Sequence, residues 1–169
     1  MNVESRIVSG YAIKWNDVSN ELYSKSRKEY FREMFRPKSL IDSVRKYDQA
    51  LLYAHDKNKV ITWKGSDGFN LLCDDTGLYY SVELPSSPLG NTVLEELKRG
   101  YIKNVSIGFN NAKSEFLEVD GVKYRIVTWA ELREISFVHK PAYINTSAVI
   151  VNDKRKILLD KINFALDWK

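Results

Sequence analysis

Glu115-Phe116-Leu117-Glu118-Val119-Asp120-Gly121-Val122 is the stretch whose reading decides the fold. Asp-Gly between two runs of strand-forming residues is a hairpin signal, because a tight turn needs left-handed backbone at its centre. The arm before it reaches back towards a second β-like run, Val105 to Asn110. The arm after it covers Val122 to Ala130, and the β pattern continues through Val138 until Pro141 breaks it. Two extended segments meeting at a turn predict an antiparallel hairpin.

Outward from that hairpin, further short strands are expected. Residues 6–15 are rich in β-branched and aromatic side chains. Ala50 to His55 reads as a buried strand, with Leu51, Tyr53 and His55 on one face by the two-residue period. Asp56 to Lys59 reads as a turn, followed by strands over Val60 to Trp63, Phe69 to Cys73 and Leu78 to Leu84, with turn signals at Asp67-Gly68 and Thr76-Gly77. Asn16 to Lys28 is polar and reads as a surface loop, and Glu29 to Phe35 as an ambiguous strand. Helices are expected from Pro37 to Val44 and from Pro88 to Arg99, the second closed by Gly100. A third, over Ile157 to Trp168, carries Leu158, Ile162, Ala165 and Leu166 at helical spacing. Many short strands with a few helices predict a mainly β (α+β) fold, a closed or nearly closed β-barrel flanked by helices. Strict βαβ alternation is lacking, which disfavours a doubly wound sheet. The expected organisation is a barrel domain over residues 1–151 and a basic amphipathic tail over 152–169.

With 169 residues, 44% hydrophobic and 28% charged, the chain has the composition of a soluble globular domain. No apolar run reaches membrane-spanning length, and no signal peptide is expected, so the reading places the protein in the cytoplasm without a membrane partner. One cysteine excludes an intrachain disulfide. Two histidines and one cysteine are a thin supply of metal ligands, so no metal or other cofactor is expected. The net charge of +4 is compatible with an acidic partner. The basic residues are dispersed except at Lys25 to Lys28 and Lys154 to Lys156, and no nucleic-acid signature accompanies them, so no specific nucleic-acid binding is expected.

Chemistry centres on Val105-Ser106-Ile107-Gly108-Phe109. A serine hydroxyl becomes a useful nucleophile only beside a base, and the base must be held in one tautomer by a third group. The chain offers His55 and His139 as bases. Asn104 stands where a nucleophile elbow requires its first glycine, which disfavours an α/β-hydrolase. On periodicity alone Ser106 reads as a hydrogen-bonded strand residue and His55 as structural. Asp56 reads as a cap or turn residue. Cys73 reads as a small hydrophobe rather than a nucleophile, and Trp15, Trp63, Trp129 and Trp168 as core or interface residues.

Taken together, the segments resemble the prohead proteases of tailed bacteriophages, a serine-peptidase family similar in fold to the herpesvirus capsid-maturation protease. The resemblance is carried by Ser9-Gly10-Tyr11-Ala12, Arg32-Glu33 before Pro37, Ala54-His55-Asp56, Gly77-Leu78 and Leu97-Lys98-Arg99-Gly100. It continues through Val105 to Phe109, Glu131-Leu132-Arg133-Glu134-Ile135-Ser136, Pro141-Ala142-Tyr143 and Thr146-Ser147-Ala148-Val149. It covers about residues 9–150. It implies Ser106 as nucleophile and His55 as general base. For the third member, herpesvirus relatives use a histidine and the phage family an acid in the strand after the serine, a position Glu134 fits best. Glu131 is the runner-up, its odd offset from Glu134 pointing it to the opposite strand face, and His139 is a further alternative. Oxyanion donors are expected near Ser106 and in a facing loop around Ala142 to Thr146.

The implied function is a serine endopeptidase that cleaves scaffolding segments of the capsid protein precursor inside the assembling procapsid, in the host cytoplasm. The protease itself is a further candidate substrate. The herpesvirus relatives imply a homodimer. The competing expectation is a non-catalytic capsid assembly or scaffold-associated protein whose basic tail binds a partner helix.

Overall fold

In the computed structural model the structure describes residues 5–167. It comprises ten strands and three helices in the order β1 (Ile7–Lys14), β2 (Leu22–Ser24), β3 (Glu29–Phe35), α1 (Ile41–Lys46), β4 (Ala50–Tyr53), β5 (Asp56–Trp63), β6 (Asn70–Cys73), β7 (Gly77–Glu83), α2 (Pro88–Lys98), β8 (Asn104–Val119), β9 (Val122–Val138), β10 (Val149–Ile150) and α3 (Lys154–Asp167). The fold is mainly β with helices, as expected. The Asp120-Gly121 turn forms, with φ of 51° and 76°. Its two arms are single long strands: β8 has 16 residues and β9 has 17.

β9 is paired on both sides. One edge is covered by β8 throughout. The other is shared end to end by two parallel neighbours, β3 against Tyr124 to Val127 and β4 against Glu134 to Phe137. The interval between them is filled by α1 and its flanks. Ala130 N–H donates to Ser39 O (3.1 Å), Leu132 N–H to Ser43 Oγ (2.5 Å), and Gln49 Nε2 to Leu132 O (3.4 Å). Ser43 and Gln49 are fully buried, so these side chains replace the ladder a missing strand would supply. An orphaned buried N–H there would cost about 1–3 kcal/mol.

A second sheet runs β10-β1-β7-β6. Val8, Leu78, Tyr80 and Val82 from it meet Leu51, Ile135 and Phe137 from the first in one core, which also receives Val93 and Leu94 of α2. The expected closed barrel is not formed: the two sheets are not closed on each other by strand pairing. Residues 143–148 bridge them instead, with Ser147 N–H donating to Tyr11 O (3.0 Å) on β1 and Ala148 N–H to Lys103 O (3.0 Å) at the start of β8. Gly10 makes the bridge sterically feasible, since a Cβ there would lie 2.2 Å from Ser147 O.

Several local expectations shift. β2 lies within the supposed loop 16–28 and pairs with β3. The helix expected from Pro37 begins only at Ile41. Asp56 to Lys59 opens β5 rather than turning the chain. α2 forms where expected, capped by Ser87, whose Oγ accepts from Gly90 N–H (3.0 Å). α3 packs through Asp160 and Phe164, with Tyr79 donating to Asp160 Oδ2 (2.9 Å), while Leu158, Leu159, Ile162 and Leu166 are exposed. Its inner stripe is therefore not the one centred on Leu158. Trp168 lies outside the described residues.

Candidate active site

Long strands place most of the candidate residues. In β8, Val105 and Ile107 enter the core, so Ser106 and Gly108 face the other way. In β9, Ile135 and Phe137 enter the core and Glu134 and Ser136 face outward with them. The antiparallel register sets Ser106 opposite Ser136 and Gly108 opposite Glu134. Directly opposed side chains in such a pair share a face, with Cβ atoms about 4.5–5.5 Å apart. Ser106 is 7% exposed, at the floor of this face.

His55 arrives differently. β4 ends at Tyr53, which pairs with Asp56 of β5, so Ala54 and His55 are the two central residues of a hairpin. Both have positive φ, 54° and 58°, as a type I′ turn requires. The turn takes His55 out of the face of Leu51 and Tyr53 on which the two-residue period puts it. Neither residue is glycine or asparagine, and left-handed backbone costs about 1–2 kcal/mol per such residue. Two bonds to β9 hold the turn: Ala54 N–H donates to Phe137 O (2.9 Å) and His55 N–H to Ser136 Oγ (3.1 Å).

The imidazole reaches back over β9, and Nδ1 lies 2.5 Å from Glu134 Oε1. The second carboxylate oxygen, Oε2, accepts from Ser136 Oγ at 2.5 Å. Glu134 has 15% of its side chain exposed and His55 43%. The hydrogen bond to Glu134 holds the His55 pKa above its ordinary value, against the opposing pull of partial burial. The carboxylate lies flat across β8 at Gly108: a Cβ there would be 2.3 Å from Oε1. Glycine is thus needed opposite Glu134 for the carboxylate to occupy the place where it meets His55.

The structure brings His55 and Glu134 into direct contact and sets Ser106 on the adjoining strand. Glu131 and His139 are engaged elsewhere. A register shift between Gly108 and Phe109 leaves Arg133 as an extra residue in β9. Glu131 therefore shares the outward side with Glu134 despite the odd offset, contrary to expectation, since Ala130, Leu132 and Ile135 all enter the core. Its carboxylate accepts from Tyr47 Oη (3.2 Å) and from Arg133, and hydrogen bonding from Asn111 is the largest of the influences that hold its pKa below the ordinary range. His139 Nε2 lies 3.5 Å from Glu96 Oε2 on α2. Asp56 Oδ1 accepts from Asn58 N–H (2.9 Å) at the start of β5. The Cys73 thiol is pushed up to about 12 by burial, which removes the thiolate.

Residues 141–148 stand beside the start of β8. Thr146 Oγ1 accepts from Val105 N–H (3.3 Å), and Asn104 Nδ2 donates to Thr146 O (2.7 Å). Tyr143 anchors this segment by donating to Glu33 Oε1 (3.0 Å), which explains physically why the sequence pieces Arg32-Glu33 and Pro141-Ala142-Tyr143 go together. On the far side of Glu134 a trough of about 560 Å³ is lined by Tyr47, Ala50, Leu52, Val60, Trp63 and Arg133, among others. Among the described residues no group of three His, Cys, Asp or Glu is arranged to hold a metal ion. The residue that sequence reasoning overlooks is Ser136. Its available signal is the offset of two from Glu134, which puts both on one strand face.

Residues 1–159 match the family of caudovirus prohead serine proteases. A comparison with curated proteins gives no match.

Gly108→Ala should displace the Glu134 carboxylate. NMR titration of His55 in that variant should give a pKa moved down towards the ordinary histidine value; an unchanged titration would contradict the contact geometry.

Proposed function

The chain belongs to the caudovirus prohead serine protease family, and we propose on that premise that it is a serine endopeptidase cleaving scaffolding segments of a capsid protein precursor within the assembling procapsid. Ser106 is the nucleophile, His55 the general base and Glu134 the orienting acid. The single observation that carries the assignment is the 2.5 Å contact between His55 Nδ1 and Glu134 Oε1, beside the strand that bears Ser106.

The chemistry follows from that bond. With Nδ1–H donated to Glu134, the lone pair of the neutral ring is on Nε2, the tautomer a base needs. Nε2 takes the Ser106 proton as Oγ attacks the scissile carbonyl carbon. The imidazolium so formed is stabilised by the Glu134 carboxylate. It then protonates the leaving amine as the C–N bond breaks, leaving an acyl-enzyme that water resolves by the same route. Backbone N–H groups next to Ser106 and in residues 142–146 are the proposed donors to the oxyanion. Residues 1–151 form the catalytic unit in this reading and 152–169 a basic tail.

The rival reading, an inactive assembly protein that binds a partner helix, draws on the exposed Leu158, Leu159, Ile162 and Leu166 of α3. Incubation of the purified protein with its capsid precursor separates the two. Wild type should generate truncated capsid protein while Ser106→Ala, equally folded, generates none. Cleavage by Ser106→Ala at the wild-type rate rejects the nucleophile, and binding without cleavage by wild type favours the rival.

The pH profile follows from the sign of the His55 shift. A base works only when deprotonated, so kcat/KM falls as pH drops through the His55 pKa. Because that pKa is raised, chiefly by the bond to Glu134, the acid limb should lie above the ordinary histidine value of about 6.5. Glu134→Gln should lower the rate and shift the limb to lower pH. A limb at the same pH in both proteins would show that Glu134 does not act on the base.

A further inference from the structure

We propose that Ser136 is a positioning residue of the same site, fixing both ends of the His55–Glu134 bond; this rests on the serine-peptidase reading above. Ser136 is fully buried, and its hydroxyl is in contact with both partners. Its one proton goes to Glu134 Oε2 at 2.5 Å, and a lone pair accepts the His55 backbone N–H at 3.1 Å. A hydroxyl has one donor and two acceptor positions, so a single Oγ can do both at once, and no apolar side chain can do either.

The two bonds act on different parts of the pair. The first ties down the carboxylate oxygen that His55 does not use, so the carboxylate cannot rotate about its terminal bond away from Nδ1. The second holds the backbone from which the imidazole hangs. That backbone needs holding, because Ala54 and His55 are consecutive non-glycine residues with positive φ. Ala54 is secured by a main-chain acceptor, Phe137 O, but His55 by a side chain, so only the second anchor depends on residue identity. Ser136 is also the register partner of Ser106. The residue that sets the base and its acid therefore stands directly across the ladder from the proposed nucleophile.

Two variants test this. Ser136→Ala removes both bonds, and Ser136→Cys keeps similar bulk with only a weak donor. The chain has two histidines, so ¹⁵N-histidine labelling in a Ser106→Ala background reports the Nδ1–H of His55 directly, independently of turnover. Either variant should lose the far-downfield Nδ1–H signal. In the otherwise wild-type protein, either should reduce kcat on a capsid-precursor peptide by about ten- to a hundredfold with KM within about twofold, the pattern of misplaced groups rather than lost binding. A folded Ser136→Ala or Ser136→Cys protein with wild-type kcat and an intact Nδ1–H signal overturns the proposal. If Ser106→Ala itself retains cleavage, the assignment of Ser106 as nucleophile fails, while loss of the signal on Ser136 substitution still supports the positioning role.

Discussion

A strand of 17 residues can be paired along both edges only if something occupies every part of each edge. In this protein β8 occupies one edge of β9, and the other is divided between β3, the α1 segment and β4. That division decides where the chain must turn. β4 starts where α1 stops supplying hydrogen bonds and ends opposite Phe137, so its turn into β5 falls just past Phe137, from where His55 reaches back to Ser136 and Glu134. The site is thus a consequence of how a long strand is shared, and His55 reaches it from a hairpin tip rather than from within a strand.

The local energetics are consistent with that origin. A type I′ turn of Ala54 and His55 is an unfavourable choice of residues, and its stability depends on the two N–H groups being received by β9. Glu134, in turn, lies over the one residue in β8 that leaves space for it, Gly108. The polar groups form a connected set, His55 to Glu134 to Ser136 and back to the His55 main chain, with Ser136 fully buried and the imidazole open to solvent on one side. Such an arrangement favours one ring orientation and one tautomer while leaving the other nitrogen available.

Much of this was legible from residues alone, and the failures have physical causes. The Asp120-Gly121 turn and α2 with its glycine stop are local signals, and both form. His55, Ser106 and Glu134 are singled out as candidates by their order in motifs that resemble a known family, and the geometry joins His55 to Glu134. What local pattern does not carry is long-range. The parallel pairing of β3 and β4 with β9 depends on residues 92 and 84 positions apart. The extra residue at Arg133 reverses the face of Glu131, and a count of two cannot detect a bulge. Ala54-His55 lacks glycine and asparagine and so hides its turn. A sheet pair bridged by residues 143–148 resembles a barrel in sequence, because strand number and spacing do not reveal whether the last edge closes.

The central claim is that Ser106 is a nucleophile activated by the His55–Glu134 pair. Labelling with a fluorophosphonate, followed by peptide mapping, tests it most directly, since the reagent forms a covalent bond only with an activated hydroxyl. The account predicts one adduct per chain, on Ser106, formed in the wild type and suppressed in His55→Ala. Labelling of another residue, or of Ser106 at the same rate without His55, would contradict it.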